Sequence, residues 1–239
     1  IGKIYLEHAY RIIFWAATIP AILSVLVLAL FVTDIRRKEE RVTGLPVLTL
    51  KPFDKYFKRF LPILILFTLG NSSDAFLILR AKDLGVAVAL IPILWVVLHI
   101  VKMLSSMPGG AWSDKVGRRK VIITGWGVYG LIYLGFAFAR HEWQIWALFA
   151  IYGIYFGLTE GTEKALVADL VPSELRGTAY GLYNFAIGIA AFPSSFLMGV
   201  IWQAFSPTKA FIFGASLSLI AMILLALAIP THIPRGKTE

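Results

Sequence analysis

Gly110-Ala111-Trp112-Ser113-Asp114-Lys115-Val116-Gly117-Arg118-Arg119-Lys120 is a short basic connection between two apolar segments, 86–106 and 120–139. Each of these segments has about twenty residues, enough for a helix to cross a hydrocarbon core of roughly 30 Å. Neighbouring helices joined by so short a connection run antiparallel. The stretch therefore predicts a pair of membrane-spanning helices with a charged turn at one membrane surface.

The same kind of apolar segment recurs along the whole chain. Only 15% of the residues are charged and 58% are hydrophobic, whereas soluble domains have about 25% charged residues. We expect an all-α integral membrane protein, and the soluble-enzyme classes are excluded. The predicted spans are 12–32, 60–80, 86–106, 120–139, 143–168, 178–203 and 209–230.

Basic residues predict the orientation of these spans. The formal net charge is +9, but the lysines and arginines lie in the connections between spans rather than in a nucleic-acid-binding patch. Fifteen of them fall on one side of the predicted topology and six on the other. The richer side is expected to be cytoplasmic, which places the 34–59 linker and the 231–239 tail inside the cell. We expect a multi-pass protein of the cell membrane with a cytoplasmic C-terminus.

The turn between the third and fourth spans has the spacing of a known family. Gly110, then Asp114, then Gly117-Arg118-Arg119 resembles the loop signature of the major facilitator superfamily. The run 169–177, which contains Asp169 and Arg176, resembles the corresponding turn later in the same half of that fold. Independently of the resemblance, Gly110 allows close helix approach, Asp114 can accept hydrogen bonds at a helix N-terminus, and Arg118 offers a fork for a carboxylate.

The resemblance implies where the chain lies in the family fold. Residues 1–33 match the last helix of the N-terminal half, 34–59 the central linker, 60–230 the C-terminal six-helix bundle and 231–239 the tail. Because the chain begins at Ile1 without a signal segment, we expect a fragment whose partner is the missing N-terminal half. The resemblance also implies that Arg118 pairs with Asp169 and that Asp114 docks against a helix of that half, which together close the cytoplasmic face.

The fifth span carries both small and charged residues. Gly153, Gly157 and Gly161 have the spacing of a tight helix contact. Glu160 and Lys164 are four residues apart and can pair, which favours a gate role over titration of Glu160 during transport. The predicted cytoplasmic gate is the set Gly110, Asp114, Gly117, Arg118, Arg119, Glu160, Lys164, Asp169 and Arg176.

Polar side chains inside spans are costly, so the faces they occupy indicate a candidate substrate or proton pathway. The predicted pathway residues recur on single helical faces, and they are Thr68, Asn71, Asp74, Trp95, His99, Tyr180 and Asn184. Asp74 could bind a proton or a cationic solute, or it could form a structural hydrogen bond to a neighbouring helix. His99 could likewise carry a proton or form a hydrogen bond to a neighbouring helix. Lys102 lies on the same face as His99 and is expected to extend towards the membrane surface.

Together these patterns predict a secondary active transporter of a small organic solute, proton-coupled and working by alternating access, with efflux of a drug or metabolite favoured. The alternative is a non-transporting membrane scaffold that keeps the fold. We find no clustered catalytic groups, no metal-ligand spacing among the four histidines and no phosphate-binding glycine loop, so no enzyme, metal or cofactor is predicted.

Overall fold

A computed structural model describes residues 2–31 and 49–230 of the chain. Two units are distinguished, residues 1–45 and residues 46–239. The predicted tail, 231–239, and most of the predicted linker lie outside the described residues. All regular elements in the described ranges are helical, as the sequence predicts.

The first unit contributes one helix, α1 (Gly2–Phe31). The second contributes seven, which are α2 (Lys55–Gly70), α3 (Ala75–Asp83), α4 (Ile91–Val116), α5 (Arg118–Phe138), α6 (Glu142–Asp169), α7 (Arg176–Ala204) and α8 (Pro207–Ala228). Short 3₁₀ turns at Val88–Leu90 and Ser173–Leu175 precede α4 and α7.

Helical segments occupy the positions of all seven predicted spans, with α2 and α3 together filling the second. Six of them are long and apolar enough to cross a membrane. α6 is 28 residues long and is not among the six. It contains three glutamates, Lys164 and Asp169, and it packs against α4, α5 and α7.

α2 begins earlier than predicted, inside the segment assigned to the linker. The Asp54 side chain accepts a hydrogen bond from the Tyr56 backbone N–H at 2.7 Å and caps the helix there. Phe53 and Phe57 are buried, with ring centroids 4.5 Å apart. The predicted linker boundary at residue 59 thus falls within α2, because a capped start and two buried rings extend the helix towards the linker.

The second predicted span is not one continuous helix. α2 ends at Gly70, Asn71 is its C-cap, and α3 starts after Asp74. The prediction that Thr68, Asn71 and Asp74 share one helical face is therefore wrong, since the backbone leaves helical geometry between them. Thr68 is buried and its hydroxyl donates to the Leu64 carbonyl at 2.9 Å, within its own helix. A broken helix of this kind is tolerated at membrane depth only where other groups satisfy its backbone.

The helices of the second unit form one connected bundle. α4 packs mainly against α6, α5 packs against α6 and α8, and α2 packs against α7 and α8. Aromatic side chains fill the space between the helices, including fully buried Trp126, Tyr129, Tyr133 and Tyr152. The break after α2 contacts side chains of α5, α6 and α7.

Two glycines of α6 permit its close contact with α4. A Cβ on Gly153 would lie 2.5 Å from the Leu98 carbonyl oxygen, and one on Gly157 would lie 2.0 Å from Ser105 Oγ. Gly161 faces open space, so it does not extend the tight contact. The close-approach role predicted for Gly110 is also wrong. That position is open, and its neighbour Gly109 is the one that packs against Gly157.

Gly117 forms the turn between α4 and α5. Its φ of 98° lies in the left-handed region that side chains other than glycine rarely adopt. Asp114 lies in the last turn of α4 rather than at the start of α5, where Gly117 is the N-cap. The hydrogen-bond role predicted for Asp114 at a helix N-terminus is therefore not the one it has within this unit.

Candidate functional site

The break between α2 and α3 is held by hydroxyl groups from neighbouring helices. Tyr129 on α5 donates to the Gly70 carbonyl at 3.1 Å and to Asn71 Oδ1 at 3.3 Å. Ser194 on α7 donates to the Leu69 carbonyl at 3.0 Å. These bonds satisfy carbonyl groups that the interrupted helix leaves free. Side chains of the neighbouring helices therefore stabilise the break.

Asp74 is the only carboxylate in this break, and its partner is neutral. The Tyr152 hydroxyl on α6 donates to Asp74 Oδ1 at 2.8 Å. His99 and Lys102 on α4 act on the carboxylate electrostatically, but no cation forms an ion pair with it among the described residues. A half-buried carboxylate with a neutral donor can exchange a proton or accept a cation without first breaking an ion pair.

A cavity of about 270 Å³ opens beside the break. We call it the break cavity, and it is lined by Asn71, Ser72, Ser73, Asp74, Phe156, Ala191 and Ser195. Ser195 Oγ accepts a hydrogen bond from the Ser73 backbone N–H at 3.2 Å, so α7 forms part of its wall. One carboxylate, one amide, three hydroxyls and one aromatic ring make a lining suited to a small polar solute or a cation.

A second cavity of about 450 Å³ lies between α4 and α6, near the α4–α5 turn. We call it the α4–α6 cavity. Its lining comprises Ser106, Gly110, Ser113, Asp114, Arg118, Phe156, Gly157, Glu160, Gly161, Thr162 and Lys164. Phe156 therefore borders both cavities. Its ring also carries the Lys102 ammonium 4.9 Å from the centroid.

Glu160 binds two lysines in this region. Lys102 Nζ lies 2.6 Å from one carboxylate oxygen, and Lys164 Nζ lies 3.6 Å from the other. The predicted Glu160–Lys164 contact is present, but the shorter bond comes from Lys102 on α4. Lys102 therefore makes an interhelical ion pair rather than extending freely to the membrane surface. The pairing was missed because sequence spacing relates residues on one helix and not on two.

Arg118 occupies the centre of the turn cluster. Its guanidinium lies 2.5 Å from Asp114 Oδ1 and 3.5 Å from Asp169 Oδ2, so the predicted contact with Asp169 forms. Arg119 instead donates to the Ala226 carbonyl near the end of α8. Arg176 is exposed and makes no ion pair among the described residues. The predicted gate residues that form ion pairs thus make one cluster around Arg118 and one around Glu160, and Arg119 and Arg176 belong to neither.

The remaining predicted pathway residues lie outside the two cavities. Trp95 packs edge-on against Phe149, with centroids 6.2 Å apart, and its carbonyl lies 2.8 Å from His99 Nδ1. His99 is exposed on α4. Tyr180 donates to the Lys164 carbonyl at 3.2 Å, and Asn184 donates to the Tyr180 carbonyl at 2.9 Å. None of these four residues lines either cavity, whereas Asn71 and Asp74 line the break cavity together.

Glu163 is a buried carboxylate to which the sequence assigned no role. Its side chain is on α6 and only 7% exposed. Trp126 Nε1 on α5 donates to Oε1 at 2.8 Å, and the Tyr183 hydroxyl on α7 donates to Oε2 at 2.8 Å. Its proximity to Glu160 in sequence was the available signal, but the sequence could not show which of the two glutamates points inward. Tyr152 and Phe156 were missed because aromatic residues are abundant throughout the spans.

No group of three His, Cys, Asp or Glu side chains is placed to hold a metal ion in the ranges 2–31 and 49–230.

Comparison with known proteins identifies the family. The sequence model of the Major Facilitator Superfamily matches residues 60–239, and the chain belongs to that superfamily. A relative from Methanocaldococcus jannaschii, named as an uncharacterized MFS-type transporter, is 33% identical over 228 residues. The match covers 93% of this chain and 56% of the relative, so the chain spans about half the length of that protein.

Two further relatives carry more specific names. A vacuolar membrane amino acid uptake transporter of Schizosaccharomyces pombe is 37% identical over 81 residues, which cover 33% of this chain and 14% of the relative. A Na(+), Li(+), K(+)/H(+) antiporter of Planococcus maritimus is 23% identical over 115 residues, which cover 46% of this chain and 27% of the relative. The predictions of a helical transporter fold and of a multi-pass membrane protein rather than an enzyme are confirmed.

Proposed function

We propose that the chain is the C-terminal portion of a secondary active transporter that moves a small organic solute by alternating access, coupled to protons through Asp74. The observation that carries the proposal is the position of Asp74, at a helix break beside the break cavity, with Tyr152 as its neutral hydrogen-bond donor. An ionisable residue at membrane depth with no cation bound to it is suited to taking up a proton in each cycle. Efflux to the exterior is the favoured direction.

The two ion-paired clusters support alternating access rather than a static scaffold. Arg118, at the start of α5, binds Asp114 at the end of α4 and Asp169 at the end of α6, and Lys102 joins α4 to α6 through Glu160. All of these side chains are partly exposed, so the pairs break at low cost. They form the proposed cytoplasmic gate, and the N-terminal half of a whole transporter of this superfamily would supply its opposite wall.

Transport in proteoliposomes tests proton coupling directly. The full-length protein is reconstituted with a pH-sensitive dye inside, and a mixture of the twenty amino acids or ethidium is added outside. We expect transport of one of these two probes to be accompanied by proton movement across the membrane. Asp74→Asn should abolish the proton movement. It should retain exchange of the radiolabelled probe inside the vesicles for the unlabelled probe outside. Probe flux that is unchanged when an uncoupler collapses the pH gradient would remove proton coupling from the proposal.

A second candidate is exchange of a monovalent cation for protons. The lining of the break cavity favours it, because Asn71, Ser73, Asp74 and Ser195 offer oxygen atoms of the kind that alkali cations bind. Similarity to the Planococcus maritimus antiporter adds to this reading. Adding NaCl or KCl to the same vesicles discriminates the two: proton movement driven by salt alone supports cation exchange, and none supports an organic solute.

A further inference from the structure

Carboxylates on the helices around the two cavities differ in the partners they bind. Asp114, Asp169 and Glu160 bind arginine or lysine. Asp74 and Glu163 accept hydrogen bonds from neutral side chains, and neither forms an ion pair within the described part of the chain. Asp74 carries the proposed proton coupling, whereas Glu163 has no role in that proposal.

The surroundings of Glu163 are those of a site built to hold a carboxyl group in either protonation state. Its two oxygens meet one donor each, Trp126 on α5 and Tyr183 on α7. The indole N–H can only donate, so it keeps its bond to Oε1 in both states. A tyrosine hydroxyl both donates and accepts, so Tyr183 donates to the carboxylate and accepts from the carboxylic acid.

The charged groups around Glu163 do not hold its side chain in the ionised form. Burying a carboxylate without a cation is costly and favours uptake of a proton. The charged groups that act on Glu163 are Glu160 and Lys164 on its own helix, which oppose each other. From α5 the facing group is the uncharged Trp126, and from α7 it is Tyr183. Tyr155 on α6 also interacts with it electrostatically.

The residues on either side of Glu163 in the chain border a cavity. Thr162 and Lys164 both line the α4–α6 cavity. Lys164 is about half exposed, whereas Thr162 is only 3% exposed. A polar cavity thus lies along the helix that carries the buried carboxyl.

We infer that Glu163 is a second reversible proton-binding site of this protein, with Tyr183 as the group that reverses its hydrogen bond when the proton binds. On protonation a proton adds to Oε2, the new O–H donates to Tyr183 Oη, and the Tyr183 hydrogen rotates away. The inference rests on the proposed proton-coupled transport for its part in the cycle, but the binding of the proton is measurable without any solute.

Infrared difference spectroscopy of the full-length protein in lipid bilayers tests the inference. Spectra recorded at high and low pH isolate the C=O stretching band of carboxyl groups that take up a proton. We expect Glu163→Gln to remove one carboxyl from this band and Asp74→Asn to remove another. Glutamine has nearly the same shape and still accepts from Trp126, so the packing of α5, α6 and α7 is retained. An undiminished band in Glu163→Gln would overturn the inference.

A second variant keeps the test decisive if Glu163→Gln does not fold. Tyr183→Phe retains the ring and removes the hydroxyl, so the Glu163 band should move to higher wavenumber as the carboxyl loses a hydrogen bond. Tyr155→Phe is the comparison variant, because Trp126 and Tyr183 are the donors to Glu163 and Tyr155 is not one of them, and it should move the band less than Tyr183→Phe does. A Tyr183→Phe spectrum identical to that of the parent protein would also overturn the inference.

The two proposals fail in different ways. Loss of the Asp74 contribution with an unchanged Glu163 contribution leaves proton coupling through Asp74 and removes the second site. Loss of the Glu163 contribution with no effect of Asp74→Asn keeps the second site and removes the proposed role of Asp74.

Discussion

Tyr152 donates its hydroxyl to Asp74 across 2.8 Å and so ties α6 to the broken helix formed by α2 and α3. Tyr152 also stacks on Tyr155, with ring centroids 5.6 Å apart and planes at 12°. The carboxylate is thus held by a rigid aromatic pair rather than by a flexible basic side chain. This places the ionisable group of the break in a fixed position beside the break cavity.

Removing this hydroxyl should weaken the bundle and disturb proton coupling. For Tyr152→Phe we expect the free energy of unfolding to fall by about 1–3 kcal/mol, because the Asp74 carboxylate loses its hydrogen-bond donor while the ring packing remains. The measurement is the thermal midpoint of the detergent-solubilised protein, together with proton movement in vesicles. Tyr155→Phe is the control, because the Tyr155 hydroxyl does not donate to Asp74, and it should lower the midpoint less than Tyr152→Phe does and leave proton movement in place. Equal midpoints for the two variants would show that the Tyr152–Asp74 bond contributes nothing.

The α4–α6 contact gives a prediction with an internal control. Gly153→Ala places a methyl group 2.5 Å from the Leu98 carbonyl oxygen, and that backbone atom cannot move without shifting α4. We expect destabilisation of about 1–3 kcal/mol, as overpacking commonly costs. Gly161→Ala on the same helix meets nothing within 4 Å and should be neutral or slightly stabilising. The comparison is made by thermal unfolding of both variants, and a tolerated Gly153→Ala would contradict the close helix approach.

The fork of Arg118 gives a prediction about the gate. Arg118→Lys keeps the positive charge but cannot hold Asp114 and Asp169 together with a planar pair of donors. Because exposed ion pairs contribute about 0–1 kcal/mol, we expect little change in thermal stability but up to a roughly five-fold shift in the open–closed equilibrium.

That shift can be read from chemical labelling. The chain has no cysteine, so Ser106→Cys places a single thiol of this chain in the wall of the α4–α6 cavity. Maleimide should label it faster in the Arg118→Lys background. Arg176→Lys, at an exposed arginine that makes no ion pair with described residues, should leave the labelling rate unchanged. Equal acceleration by both substitutions would indicate a general effect of replacing arginine by lysine and not a gate.

The two lysines bound to Glu160 should differ in importance. Lys102 lies closer to the carboxylate, is the less exposed of the two and connects α4 to α6, whereas Lys164 is one helical turn away on α6 itself. Lys102→Met should therefore accelerate labelling at Ser106→Cys more than Lys164→Met does, since only the first breaks an interhelical pair. The reverse order would assign the gate contact to Lys164.

Several features of this protein follow from the order of residues alone. The apolar segments and the basic connections determine a helical membrane bundle, because a backbone in lipid must satisfy its own hydrogen bonds. The spacing of Gly110, Asp114, Gly117 and Arg118 was sufficient to indicate the superfamily. The Arg118–Asp169 contact was also expected from that resemblance, since both residues lie at helix ends whose relative position the fold fixes.

Only the tertiary structure decided which polar groups inside the bundle meet. The helix break at Asn71–Asp74, the Lys102–Glu160 pair and the burial of Glu163 between Trp126 and Tyr183 each depend on contacts between helices distant in sequence. Helical periodicity assigns a side chain to a face but does not say which neighbour that face meets. In a chain where almost every face is apolar, periodicity alone therefore cannot separate a bound carboxylate from one that is free to take up a proton.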